Sequence, residues 1–248
     1  DDLLVDAVTQ TTAAVGLQPN DIDAYWLGTS QSGASGMMAA GPLKLEGKPV
    51  SRVENYCATG SEALRMAAYA VASGAYDTAL AVGVEKVKDG GYQGLNAFPY
   101  PTDGTQRTLT AAAMFSLVAP AYARRYGIDE DDLRRVLATI ASKNHYNGAR
   151  NPLAQFRKEM DVDAICAMPA VAGRLGVFDC AGVADGSSAA MIVRAEDAHE
   201  YCDNPLYIKA LSLVAGNGSG LLDPDYDYTT FPECAAAGAD ADAQAGIT

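Results

Sequence analysis

The chain has 248 residues, 49% of them apolar, enough to bury one large domain or one and a half smaller ones. Its formal net charge of -13 argues against a general nucleic-acid binder, which needs a basic surface to displace counterions, and against a polybasic membrane anchor. No apolar run is long enough to span a bilayer.

In chain order, the start at Asp1-Asp2-Leu3-Leu4 reads as neither a signal peptide nor an initiator methionine, and both ends read as the edges of a longer chain. Leu3, Leu4, Ala7, Val8 and Val15 fall at helical spacing, with Gly16 as the stop. Residues 23–29 hold Tyr25-Trp26-Leu27, a short strand that runs into a small, polar loop, 28–36. A second strand is expected at 51–56, an Ala-, Leu- and Met-rich helix at 59–73 closed by Gly74, and a buried strand at 78–84. That alternation predicts an α/β sandwich.

The stretch 87–107, with Gly90, Gly91, Gly94, Gly104, Pro99 and Pro101, reads as a loop. Two helices are expected near 109–126 and 130–146, the second opened by the acids Asp129 to Asp132 as cap and first turn. Asn151-Pro152 marks a polar connection. A strand pair is expected at 175–181 and 187–194, turning at Asp185-Gly186, then a strand at 207–214 and a helix at 231–245. There is no internal repeat and no low-complexity segment beyond the Ala-rich tail.

The five cysteines, Cys57, Cys166, Cys180, Cys202 and Cys234, are odd in number and include no C-x-x-C pair. This argues against a disulfide framework or a zinc site and for a reducing, cytoplasmic compartment. Cys57 differs from the rest in its place. It stands where a strand ends and a helix begins, followed by the small Ala58, Thr59 and Gly60. The unpaired N–H groups of a helix N-terminus stabilise an anion, and the thiolate is the nucleophilic form of cysteine. The same N–H groups suit the oxyanion of a tetrahedral intermediate. The plain alternative is a small buried hydrophobe, which is how the other four cysteines are read.

The run from Asn55 to Leu64, Asn-Tyr-Cys-Ala-Thr-Gly-Ser-Glu-Ala-Leu, resembles the nucleophile motif of thiolases, especially the sterol-carrier-protein type and its bacterial and archaeal relatives. Three more stretches resemble the family in order and spacing. Ala81 to Val87 matches the strand and turn after the nucleophile helix, Ser142 to Pro152 part of the loop domain, and Asp185 to Ala190 a turn and strand near the end of the first half. Two features depart from the family. Thr59 stands where many thiolases have Ser. The second-half motifs, a histidine in an Asn-Glu-Ala-Phe or His-Asp-Cys-Phe context, a Gly-His-Pro and a late acid/base cysteine, do not occur within these residues, whose only histidines are His145 and His199.

The resemblance implies a layered αβα sandwich with an inserted helical loop domain near 87–176. Residues 1–200 are then the N-terminal thiolase domain and 201–248 the truncated start of the C-terminal one. It implies acyl transfer between coenzyme A thioesters, by thiolysis or Claisen condensation, through an acyl-enzyme on Cys57. Coenzyme A is then a substrate and no further cofactor or metal is called for. A homodimer and a small zinc-ribbon/OB-fold partner protein are also implied. Two other classes stay open: a thiolase-like retro-aldolase on steroid side-chain thioesters, and a non-catalytic acyl-CoA or lipid-binding scaffold.

Substrate-binding candidates lie in the loop-domain stretch. Lys143, Arg150, Arg157 and Lys158 make a local +4 with no acid among them, and either face the phosphates of coenzyme A or form a solvated helix end. His145 either lines the acyl pocket or satisfies a local hydrogen bond, the structural role being favoured. Met114 matches a family position near the pocket, although a methionine at helical spacing is more often core. His199, in an acidic helix, is read as inert.

Overall fold

A computed structural model describes residues 1–88, 96–102 and 105–247, with the backbone alone for 96–102, 105–109 and 221–222. The first elements are α1 (Asp2–Ala13), β1 (Ala24–Gly28), α2 (Met37–Leu43), β2 (Val50–Val53), α3 (Thr59–Ala72) and β3 (Thr78–Glu85). There follow β4 (Asn96–Thr102), β5 (Thr105–Thr110), α4 (Ala111–Phe115), α5 (Val118–Tyr126), α6 (Glu130–Arg150), α7 (Val162–Cys166), β6 (Ala170–Ala172) and β7 (Leu175–Gly176). The last are β8 (Gly186–Val193), α8 (Ala198–Tyr201), α9 (Ser219–Leu222) and α10 (Pro232–Ala245). They fall into two units: Asp1–Gly91 with Ala184–Leu211, and Tyr92–Val183 with Ser212–Thr248.

The first unit is a four-stranded mixed sheet in the order β2-β1-β3-β8, with helices on both faces. β1 pairs in parallel with β2 and β3, and β8 runs antiparallel to β3. Successive side chains of a strand point to opposite faces, and here the two faces differ in bulk. Tyr25, Leu27, Leu80 and Val82 point to the side of α1 and α2, where they meet Leu4, Val8, Ala39 and Leu43. Ala24, Trp26, Ala79 and Ala81 point to α3 and meet Ala63, Ala67 and Val71. The small residues on that side let α3 lie close on the sheet. Tyr25 is buried whole, and its hydroxyl donates to the Pro19 carbonyl at 2.6 Å, so no polar atom is orphaned there.

The second unit has its core where α6 crosses α7: Ala138, Ala141 and Ile165, covered by Met160, Val162, Cys166 and Phe178. The Asp129 carboxylate caps α6 by accepting the Asp131 N–H at 2.8 Å, as the acidic run predicts. A partly buried ion pair, Arg134 to Asp179 at 2.6 Å, ties α6 to the turn after β7. Arg134 also donates to the Ile165 carbonyl at 2.8 Å, and Asp179 accepts the Gly176 N–H at 2.7 Å.

Several expectations are corrected. Residues 89–95 and 103–104 of the expected loop 87–107 lie outside the described residues, but 96–102 and 105–110 form an antiparallel ribbon. Pro99 and Pro101 are two apart, so their missing N–H groups fall on the same side of the strand, and a two-stranded ribbon has one side on which no N–H is needed. The helix expected at 109–126 is two helices, α4 and α5, separated at Ser116 and Leu117. No hairpin forms between 175–181 and 187–194. β7 pairs with β6, and β8 takes the free edge of β3 over eight residues. Asp185 is spent elsewhere than in a hairpin turn, accepting the Lys88 N–H at 2.8 Å and pairing with Lys86 at 3.7 Å. Residues 207–214 form no strand: a strand must pair its backbone with a neighbour, and no described strand pairs with this segment. Cys202 and Cys234 are exposed, so packing does not account for them, whereas Cys166 does pack on the second core.

Leu80 is fully buried between α1 and the sheet. Leu80→Ala is expected to destabilise the first unit by about 3 kcal/mol, within the usual range for core leucines. Urea titration of the full-length protein, followed by the fluorescence of Trp26, checks this.

Candidate active site

Cys57 sits on a turn whose shape is set by its neighbours. β2 ends at Val53, and the chain then makes a single 3-10 turn, Tyr56–Ala58, before α3 starts at Thr59. The Glu54 carboxylate accepts the Tyr56 N–H at 2.6 Å, and the Ala58 N–H donates to the Asn55 carbonyl at 3.0 Å. The Asn55 N–H donates to the Thr59 hydroxyl at 2.8 Å, reaching across Cys57 to the first residue of the helix. Tyr56 is held at φ 48, in the left-handed region that costs a side-chain-bearing residue about 1–2 kcal/mol. Such strain concentrates where a side chain must be aimed. The Cys57 thiol is exposed. Ala58 occupies the N-cap position of α3 and offers no side-chain acceptor to the first turn.

Beside this turn the strands run out of side chains. Gly28 ends the row Ala24, Trp26 on β1, and Gly83 continues the row Ala79, Ala81 on β3; the two glycines are register partners. A Cβ on Gly28 would stand 3.1 Å from the Thr59 methyl and 3.2 Å from the Thr59 carbonyl, so a side chain there would press on the start of α3, which glycine lets come this low without crowding. A Cβ on Gly60 or Gly186 would meet nothing within 4 Å. The result is a cavity of about 390 Å³ lined by Gly28, Thr59, Gly60, Gly83, Glu85 and Ser187, with their neighbours Thr29, Val84, Gly186 and Ser188. It lies at the carboxyl ends of parallel β1 and β3, the edge where open α/β sheets bind ligands. A larger recess of about 510 Å³ opens at the opposite end of the strands, around Asp23, Lys48 and Asp77, away from the turn of Cys57.

Glu85 organises the rim. Its carboxylate accepts the Ser32 hydroxyl at 2.6 Å, the Ser30 N–H at 2.8 Å, the Gln31 N–H at 3.2 Å and the Thr29 hydroxyl at 3.3 Å. Burial works to raise its pKa, but these donors outweigh it and hold the carboxyl below its usual range. Arg52, on β2, donates to the Thr29 and Ser30 carbonyls at 2.8 and 3.2 Å. The carboxyl ends of all three parallel strands are thus tied through one loop. Sequence reading assigned Glu85 no role. The available signal was an acid closing a buried apolar strand, in a chain whose first strand runs into Thr29, Ser30 and Ser32. No sequence signal marks the left-handed backbone of Tyr56.

The other candidates belong to the second unit. Lys143, His145 and Arg150 all lie on α6, with Lys143 and Arg150 seven residues apart on one helical face and exposed. Arg150 already has partners: Glu159 at 2.7 Å, the Tyr146 carbonyl at 2.7 Å and the Tyr146 ring beneath its guanidinium. The acid that answers it stands one residue beyond the basic segment. His145 is half-buried between Phe178, edge-on at 5.2 Å, and Phe156 at 6.4 Å. Met114 is half-buried on α4. Among the described residues no group of His, Cys, Asp and Glu could hold a metal ion, and no helix is long and apolar enough to cross a membrane.

An α/β sheet with a thiol on a strained strand-to-helix turn, beside a glycine-lined cavity, has the layout of proteins that present a nucleophile at the carboxyl edge of parallel strands. Residues 1–196 match the family model for the N-terminal domain of thiolase, and the chain belongs to the thiolase family. The acetyl-CoA acetyltransferase of Methanothermobacter thermautotrophicus is 31% identical over 229 residues, covering 87% of this chain and 57% of that protein. Sterol carrier protein 2 of Oryctolagus cuniculus is 30% identical over 187 residues, covering 70% of this chain and 32% of that protein. The chain thus spans little more than half the length of the first relative and a third of the second. Among solved structures, the Ltp2-ChsH2(DUF35) aldolase superposes with a TM-score of 0.77 at 21% identity, over 100% of this chain and 65% of that one. The expected thiolase-like α/β fold is therefore correct.

The lowered pKa of Glu85 gives a pH signature. A depressed carboxyl stabilises the fold at pH values above its unfolded pKa, about 4.3, and that contribution is lost as pH falls through the folded value. Glu85→Gln is expected to cost about 2 kcal/mol at pH 7, the usual worth of hydrogen bonds to a charged group. The gap between wild type and variant should close below the carboxylate range. Urea midpoints of both proteins across pH 3 to 7, on the order of one unit apart, read it directly.

Proposed function

We propose that the whole protein is a thiolase-type acyltransferase, active in the cytoplasm, in which Cys57 carries the acyl group. The observation that supports this most is the turn at Cys57 itself, an exposed thiol on a strained strand-to-helix junction in a chain of the thiolase family. In the proposed first step the Cys57 thiolate attacks the thioester carbonyl of an acyl-CoA. The new C–S bond forms, the bond to coenzyme A breaks, and coenzyme A leaves as a thiol after taking a proton. In the second step of Claisen condensation the enolate carbon of a second acyl-CoA attacks the acyl-enzyme, the carbon–carbon bond forms and the Cys57 thiolate is released. Thiolysis is the reverse. The Cys57 thiolate attacks the keto carbon of a 3-ketoacyl-CoA, the bond between C2 and C3 breaks, and its electron pair leaves as an acyl-CoA enolate that takes a proton. The sulfur of another coenzyme A, giving up its proton, then takes the acyl group from Cys57.

The N–H groups at the start of α3 are proposed to stabilise the oxyanion, with Gly60 leaving room for the thioester. Proton transfer is assigned to the second half of the protein, as the family resemblance implies. Residues 1–200 are assigned to the N-terminal thiolase domain, with 87–176 as its inserted loop domain, and 201–248 to the start of the C-terminal domain. Lys143, His145, Arg150 and Met114 are proposed to contact coenzyme A or the acyl chain. Lys143 is the better phosphate ligand of the two cations, being exposed and without an ion pair among the described residues, while Arg150 is held by Glu159. A homodimer and a small partner protein complete the proposal. The partner is favoured by the fold neighbour, whose name includes a DUF35 component.

The same neighbour is named an aldolase, which favours retro-aldol cleavage of a coenzyme A thioester as the second reading. The two differ at the sulfur. Full-length protein incubated with acetyl-CoA, digested and mapped by mass spectrometry is expected to carry acetyl on the Cys57 peptide, with release of one equivalent of coenzyme A. Cys57→Ala should carry none and should not turn over acetoacetyl-CoA. Full activity in Cys57→Ala, or acetyl found only on another cysteine, would falsify the acyltransferase reading; carbon–carbon cleavage without an adduct selects the aldolase.

A further inference from the structure

Thr59 is the residue through which the turn of Cys57 is joined to the sheet. It is buried, with 7% of its surface exposed, although it is polar and belongs to the first turn of a helix. Both ends of its side chain are used. The hydroxyl accepts the Asn55 N–H at 2.8 Å, closing a loop that contains Tyr56, Cys57 and Ala58. The methyl lies where even one more carbon on Gly28 would be only 3.1 Å away. The residue before Cys57 is at φ 48 and does not hold that conformation by its own preference. Two hydrogen bonds bracket it: Glu54 to the Tyr56 N–H, and Thr59 to the Asn55 N–H. Glu54 belongs to the same loop as Tyr56. Thr59 belongs to α3 and rests on β1, so of the two it alone references the turn to the sheet.

We infer that Thr59 is a positioning residue for Cys57: its hydroxyl holds the turn at the angle from which the thiol reaches a bound thioester, and its methyl sets the height of that turn above β1. The inference rests on the reading of Cys57 as the acylated residue. It makes a specific demand on the side chain. Serine keeps the acceptor and loses only the methyl. Valine keeps the shape and loses the acceptor, which leaves the Asn55 N–H to solvent and removes the tie between the turn and α3.

Attack on a bound thioester depends on orientation, where a displacement on the order of 1 Å costs up to about a hundredfold. Reaction with a small, freely diffusing alkylating agent does not. The experiment compares the two rates on the same thiol in full-length protein: acetylation of Cys57 by acetyl-CoA and its alkylation by iodoacetamide, with the exposed Cys202 as internal reference. In Thr59→Val, acetylation is expected to fall at least about tenfold while alkylation stays within about twofold and the melting temperature is kept; Thr59→Ser recovers most of the acetylation. Unchanged acetylation in Thr59→Val overturns the inference. So does a parallel fall of both rates with a lowered melting temperature, which assigns Thr59 a merely structural role. If the valine variant is recovered unfolded, Thr59→Ala against Thr59→Ser decides on the same ratio, and equal ratios overturn it. A wild type that takes no acetyl on Cys57 overturns the reading of Cys57, and this inference with it, whereas failure in Thr59→Val alone leaves Cys57 in place.

Discussion

The close approach of α3 to β1 and β3 conditions everything built at the carboxyl edge of the sheet. It depends on what is absent from one face. Ala24, Ala79 and Ala81 keep that side low, and Gly28 and Gly83, register partners across the β1–β3 ladder, take the last side chains away. The opposite face carries Tyr25, Leu27, Leu80 and Val82, and it supplies the bulk of the apolar burial. The two faces divide the work. Large side chains on one side stabilise the sheet, and small ones on the other let a helix bring its first turn down against the strand ends.

That approach has two consequences for the site. It places Thr59 on Gly28, and so the start of α3 and the turn of Cys57 acquire a fixed height above the sheet. It also leaves the glycine-lined cavity next to that turn, because neither strand has a side chain to fill the space. Glu85 adds the rim. A carboxylate at the end of a buried strand collects donors from Thr29, Ser30, Gln31 and Ser32, while Arg52 grips the same loop by its carbonyls. Charge-assisted hydrogen bonds of this kind are stronger than neutral ones and orient a loop that has no regular structure of its own.

Local chemistry was readable from the chain. The helical spacing of Leu4 and Val8, the stop at Gly16 with φ 74, the apolar run of β3, the acidic cap of α6 and the final helix from Pro232 all follow from short-range rules, and the elements lie where those rules put them. Cys57 was legible for the same reason, since a junction of strand and helix with small neighbours is written in consecutive residues. Pairing was less legible. The segment 207–214, expected as a strand, is none, and Gly186 to Val193 crosses to β3 where a local hairpin was expected.

Sequence by itself determined the class of fold and the place of the thiol, because both are encoded by residue types at short and regular spacing, and the resemblance of the run from Asn55 to Leu64 to a known motif pointed to the family. Only the tertiary structure decided which strands share a ladder, that Gly28 and Gly83 empty the same corner, that Glu85 serves the loop of a strand 55 residues earlier, and that Arg150 spends its charge on Glu159. These are contacts between residues far apart in the chain, or between side chains whose direction depends on which face of a strand or helix is turned inward. Backbone propensities do not carry that information. It arises when the sheet closes and the helices settle on it.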